Sequence, residues 1–271
     1  LSATTSSEPT LAAAWASLRA QARTALIPYF TAGHPDWDRS LDALRRAEAS
    51  ADIIEVGVPF SDPLADGPTI QRSTFEALRQ GMTLPRTLEL IAAARLSRPV
   101  VIFSYLNPVR HYGLERFLHD AAALKITGLL LTDLPAGSDP AIEETVRASS
   151  LDLIRLVAPT TAQARLAAVV RGAQGFLYLV ARLGVTGARA TLAADLDAQI
   201  ARVRERTPLP LAVGFGISTP AQAETVARLA DGVVVGSALV ETLGREGPMA
   251  AAAMLATLRA AVDRADAERQ R

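Results

Sequence analysis

A glutamate set among isoleucine and valine is costly to ionise, and the segment Ile53-Ile54-Glu55-Val56-Gly57-Val58 contains one. Burial there would raise the carboxyl pKa toward neutrality, where one group can both give and take a proton. The plain alternative is a structural glutamate paired with an arginine or with backbone amides. Eleven positions on, Asp66 stands in Ser61-Asp62-Pro63-Leu64-Ala65-Asp66-Gly67-Pro68. Three prolines and a glycine between Pro59 and Pro68 limit backbone freedom and would hold such a carboxylate in place. Aspartate also opens turns of this kind by bonding its own backbone, and Asp62 and Asp133 share that ambiguity.

Anion binding has a separate signature. Val213-Gly214-Phe215-Gly216-Ile217-Ser218 and Val235-Gly236-Ser237-Ala238 each end an apolar run and lead into a helical pattern. Glycines there let backbone N–H groups approach a phosphate, and a helix N-terminus adds its dipole, so no lysine or arginine is required. A third glycine-rich segment, Gly184-Val185-Thr186-Gly187, suits a cover that excludes water, with Thr186 as a hydrogen-bonding group. Tyr29, Phe103, Tyr105, Tyr178 and Phe215 close other apolar runs; together they suit a slot for a flat ring, and ordinary core packing explains any one of them.

What is scarce narrows the chemistry further. Lys125 is the only lysine and sits just before an apolar run; His34, His111 and His119 are the only histidines, one in mid-helix and two in different loops. Neither a Schiff base nor a histidine-built metal site is expected. The chain has no cysteine, which removes thiolate catalysis and disulfides and fits a cytoplasmic location. With 28 basic against 28 acidic residues, it lacks the charge bias of a nucleic-acid or membrane-surface binder. Carboxylates, tyrosines and backbone amides must do the work.

The elements that would position these groups follow from hydrophobic patterning. Short, nearly continuous apolar runs cover residues 25–31, 52–58, 100–106, 128–133, 151–158, 175–181, 209–216 and 232–237. Continuous rather than alternating character marks parallel strands buried on both faces. Ala/Leu/Arg-rich segments with 3.6-residue periodicity separate them, including two between the second and third strands, split near Gly81. Eight βα units predict one α/β domain, a (β/α)8 barrel, with chemistry at the C-terminal strand ends. A doubly wound sheet is the runner-up but lacks the GxGxxG turn. An extra helix over residues 11–22 is placed to plug the barrel floor. Residues 1–8 read as disordered, and the charged segment 263–271 as an exposed, frayed helix end. Arg155, inside the fifth apolar run, is expected to point away from the barrel axis and snorkel among helices.

Several blocks carry a resemblance: Ile27-Pro28-Tyr29-Phe30-Thr31-Ala32-Gly33-His34-Pro35, residues 52–71 around Glu55, 105–113, 175–189, 211–220 and 231–237. In order, over most of the chain, they resemble the α subunit of tryptophan synthase. The resemblance implies retro-aldol cleavage of indole-3-glycerol phosphate to indole and glyceraldehyde 3-phosphate, with Glu55, Asp66 and Tyr178 catalytic. It implies phosphate binding by Gly187, Gly216, Gly236 and Ser237, an indole slot of Tyr29, Phe103, Leu130, Leu156 and Phe215, and a closing loop ordered by Thr186. It further implies an αββα complex with a β subunit that Pro59, Asp62 and Asn107 face. No cofactor is implied on this chain; pyridoxal phosphate belongs to the β subunit. Departures are Ala181, where many relatives carry serine, Thr132 and Arg155. Three other readings differ in substrate or mode: a free-standing lyase of the same family, a non-catalytic phosphate-binding activator of a β subunit, and a sugar-phosphate isomerase.

Overall fold

A computed structural model describes residues 10–180, 189–214 and 216–271. In chain order the elements are α1 (Leu11–Ala20), β1 (Ala25–Thr31), α2 (Trp37–Ala47), β2 (Ile54–Gly57), α3 (Pro68–Arg79), α4 (Leu84–Ala94) and β3 (Val100–Ser104). There follow α5 (Leu106–Tyr112), α6 (Leu114–Ala123), β4 (Ile126–Leu131), α7 (Pro140–Arg147), β5 (Asp152–Val157), α8 (Gln163–Arg171) and β6 (Leu177–Val180). The chain ends with α9 (Arg189–Arg204), β7 (Leu211–Gly214), α10 (Pro220–Ala227), β8 (Gly232–Val235), α11 (Ser237–Glu246) and α12 (Pro248–Arg269).

The eight strands are parallel and close into a barrel in sequence order, with β8 returning to β1 through Ala25↔Gly232 to Pro28↔Val235. Strand residues alternate between two apolar layers, as a period of two demands. Leu26, Phe30, Ile54, Val56, Leu129 and Val233 face the helices; Ile27, Ile53, Val101, Leu130, Ile154 and Val234 face the barrel axis. Burial on both faces explains why the strands read as continuous hydrophobic runs. Several helices start where their sequences say they should. Asp36, Thr83 and Asp139 accept from the amide three residues on, and Thr219 forms a capping box with Gln222.

Helix α1 closes the barrel floor, putting Leu11, Trp15 and Leu18 into the axial layer, with Trp15 and Phe176 rings 5.6 Å apart. Gly232 makes room for it: a Cβ there would lie 3.0 Å from the Trp15 ring.

Four expectations need correction. Strand β2 starts at Ile54 rather than at 52, because the Asp52 carboxylate is taken up by the Leu26 amide and Arg259. His111 lies in α5, not in a loop. Arg155 does point outward, but it is buried and does not snorkel: it donates to the Leu134 carbonyl at 2.7 Å and pairs with Glu143 at 2.6 Å. The C-terminal segment is docked as helix through Arg269, with Ala265 and Asp266 buried. Asp266 accepts from the Thr24 amide at 2.9 Å and hydroxyl at 2.6 Å, a partnership no local charge pattern reveals. The expectation for residues 1–8 lies outside the described residues. Among the described residues no helix is long and apolar enough to cross a membrane.

Candidate functional site

Glu55 lies two residues after axial Ile53, so strand alternation turns it to the barrel axis, level with Tyr29 on β1 and Val101 on β3. It is fully buried, and neither carboxylate oxygen has a hydrogen-bond partner among the described residues. The alternative of a structural ion pair is therefore not what these residues form. Loss of water alone pushes its pKa up to about 8. At neutral pH it holds its proton, yet can release one within reach of physiological conditions.

The loop between β2 and α3 brings Asp66 to a cleft that Tyr29 and Tyr178 also line. Burial raises its pKa to about 6, opposed by a hydrogen bond that the Tyr105 hydroxyl donates at 3.1 Å. Gln71 fixes the loop backbone by donating to the Asp66 carbonyl at 2.9 Å. Two carboxyls around the same pair of phenols are thus held in different states near pH 7, which is what a proton donor and a charge stabiliser need.

Tyr29 and Tyr178 point inward on β1 and β6, and burial first, then nearby carboxylates, raises the pKa of each phenol. Glu55 is among the carboxylates acting on Tyr178, after burial. Two glycines admit these rings. A Cβ on Gly57 would sit 2.0 Å from the Tyr29 hydroxyl oxygen, and one on Gly214 2.2 Å from that of Tyr178. The Tyr29 and Phe103 rings meet edge to face, 5.4 Å apart.

One cleft is lined by Tyr29, Asp66, Gly67, Ile70, Phe103, Tyr178, Gly216, Gly236 and Ser237; fully buried Glu55 does not line it but lies close enough to act on the phenols of Tyr29 and Tyr178. Gly236 and Ser237 open α11, so unpaired amides and the helix dipole face the cleft from that side. Gly216 adopts φ +83°, a conformation that favours glycine, and brings the turn after β7 to the same cleft. Leu130 and Leu156 share the axial layer with Phe103 and Tyr178 but do not line the cleft itself. Thr186, Gly187 and Phe215 lie outside the described residues, as does Ala181. Among the described residues there is no group of three or more His, Asp or Glu able to hold a metal ion.

Pro59 is buried at the foot of the loop after β2, whereas Asp62 and Asn107 are exposed. Pro59 lines an apolar groove of about 460 Å³ with Phe60, Met82, Pro108 and Tyr112. Leu64, 91% exposed, projects from the same loop.

Sequence reasoning missed two residues here. Ile70 faces the cleft from the first turn of α3, and its position three residues past the helix N-cap Gly67 is the available signal. Tyr105 was read only as a ring; that its hydroxyl bonds Asp66, 39 positions earlier, has no local signature.

Comparison with known proteins adds an independent line. Residues 15–268 match a family model described as Tryptophan synthase alpha chain. The chain is 46% identical over 261 residues to the tryptophan synthase alpha chain of Gluconacetobacter diazotrophicus, spanning 92% of this chain and 95% of that one. It is 47% identical to that of Gluconobacter oxydans over 84% of this chain and 86% of that one. Among solved structures, one of Mycobacterium tuberculosis tryptophan synthase aligns with TM-score 0.85 and 41% identity, over 94% of this chain and 99% of the other. Tryptophan synthase subunit alpha from Legionella pneumophila aligns with TM-score 0.86 and 32% identity, over 94% and 98%.

Proposed function

Since this chain belongs to the tryptophan synthase alpha chain family, we propose that Glu55, Asp66 and the turns after β7 and β8 form one catalytic unit for the family's lyase reaction. That reaction is retro-aldol cleavage of indole-3-glycerol phosphate to indole and glyceraldehyde 3-phosphate. The observation that carries the assignment is Glu55: fully buried, axial, and without a partner among the described residues.

The substrate's phosphate rests on main-chain N–H groups at Gly216, Gly236 and Ser237, supported by the dipole of α11. Its indole ring lies among Tyr29, Phe103 and Tyr178, over the apolar layer that includes Leu130 and Leu156. Protonated Glu55 gives its proton to indole C3, which places positive charge on the ring. The Asp66 carboxylate accepts a hydrogen bond from the ring N–H and stabilises that charge. Glu55, now a carboxylate, takes the proton from the glycerol hydroxyl next to the bond being broken. As that hydroxyl becomes the aldehyde C=O, the electron pair of the carbon–carbon bond returns to the ring. Indole leaves, and Glu55 is protonated again. Tyr178, whose phenol stays neutral, is the hydrogen-bonding group beside the cleaved bond.

The alpha chain family carries no cofactor of its own; pyridoxal phosphate belongs to the β subunit, to which indole passes in an αββα assembly. Asp62 and Asn107, exposed, and Pro59, beneath them in the apolar groove, face that partner, with Leu64 offering an apolar contact. A cytoplasmic location belongs to the same reading.

Glu55→Gln tests the assignment. Indole release should fall by about a thousandfold, within the range expected for losing a general acid–base group. Affinity for a glycerol phosphate ligand should stay within a few-fold. Assays of the chain alone and with a β subunit should both show the loss; substantial residual turnover would refute the proton-transfer role.

A further inference from the structure

Tyr105 stands immediately beyond β3, at the N-cap of α5, and is buried. Its ring packs 5.0 Å from that of Phe60, on the loop that carries Asp66. Its hydroxyl has two partners on the same loop. It accepts from the Ala65 amide at 2.9 Å, and it lies 3.1 Å from Asp66 Oδ2. A phenol has one proton and two lone pairs. With the amide filling a lone pair, the phenol proton is directed to the Asp66 carboxylate. Oδ2 is thereby engaged, and no hydrogen bond to Oδ1 is made among the described residues.

The rest of the surroundings make this bond consequential. Among the described residues, the ionisable groups around Asp66 are Tyr29 on β1, Glu55 on β2, Tyr105 after β3 and Tyr178 on β6. All of these are acids, so none of them supplies positive charge. Burial favours the neutral carboxylic acid, and the Tyr105 bond is the influence that opposes it. A neutral Asp66 would present a donor or an uncharged oxygen to an indole N–H that needs an anionic acceptor.

We propose that Tyr105 is a positioning residue for the lyase reaction, which holds Asp66 as a carboxylate and turns its free oxygen toward the ring nitrogen. This inference rests on the role given to Asp66 above. It assigns to Tyr105 no contact with the reacting atoms. Its two bonds tie β3 to the loop after β2, so Asp66 is in place before substrate arrives.

The test uses the full chain with its β subunit and follows kcat/KM for indole release against pH in wild type, Tyr105→Phe, Asp66→Asn and the double variant. All are compared on the same substrate, so titration of its phosphate cancels. Tyr105→Phe keeps the ring and its packing on Phe60. Its acid limb should move up by about one pH unit, a loss of roughly tenfold on that limb, because one unit is a factor of ten in the ionised fraction. Most of the rate should return on the alkaline side of the displaced limb. Asp66→Asn should be impaired at every pH, and adding Tyr105→Phe to it should cost nothing further. An unmoved limb, or a loss that is uniform across pH, overturns the proposal while leaving Asp66 intact. If Asp66→Asn retains wild-type turnover, the role of Asp66 falls first and Tyr105 with it. Should Tyr105→Phe fold poorly, 3-fluorotyrosine at position 105 keeps the shape and strengthens the donor. The acid limb must then move down; a limb that stays put overturns the proposal.

Discussion

Glu55 and Asp66 both act on the phenols of Tyr29 and Tyr178, yet the two carboxyls titrate at different points because their partners differ. Glu55 has only desolvation acting on it and reaches about 8; Asp66 has desolvation tempered by the Tyr105 hydroxyl and reaches about 6. The working enzyme needs Glu55 protonated and Asp66 ionised. Below about 6, Asp66 gains a proton and loses its charge; above about 8, Glu55 loses the proton that indole C3 requires. The expected profile of kcat/KM for indole release is therefore a bell, rising through about 6 and falling through about 8. Initial rates across pH check it, and a profile still rising above 9 or so would contradict the assignment of Glu55 as the acid. The glutamate was legible in the sequence because a carboxyl inside an Ile/Val run announces its own energetic cost. Tyr105 was not, because a phenol can end a strand for packing reasons alone and its partner is remote in sequence.

At the scale of elements, hydrophobic runs identified all eight strands; β1 matches its run and β4 begins before its own, but most strands end short of the runs that announced them. The residues at those ends serve as something other than ladder. Asp52 binds Arg259 and the Leu26 amide before β2, Asp133 accepts from the Leu106 amide after β4, and Tyr105 caps α5. Helix α12 shows the opposite error. Its charged last turn reads as solvated, yet Asp266 is 3% exposed and joins α12 to the residue before β1 through Thr24. Removing it strands the buried Thr24 amide and takes away the carboxylate that pairs with Arg269 at 2.6 Å. Asp266→Ala should lower stability by about 2–4 kcal/mol in urea denaturation. Because Thr24 precedes β1 on the floor side, indole release by the folded variant should be unchanged. Wild-type stability in that variant would show the seam to be dispensable.

The whole molecule is a closed barrel whose floor is stopped by α1 and whose mouth carries a cleft lined from β1, β3, β6 and the turns after β2, β7 and β8. Closure is what lets a carboxyl lose all water without unfolding its neighbours: Glu55 sits on the barrel axis level with Tyr29 and Val101 and two residues beyond axial Ile53. This architecture was readable from eight buried runs and a preceding helix, since few folds satisfy that pattern. The way α1 fills the floor, through Trp15 against Phe176 and Gly232, depended on shapes that only three dimensions supply. Difference infrared spectroscopy of the carboxyl C=O band, wild type against Glu55→Gln, measures directly whether the barrel interior keeps Glu55 neutral. The account predicts a protonated-carboxyl band at pH 7, absent in the variant, that titrates away near 8. Loss of that band near the ordinary value of 4.5 would contradict it.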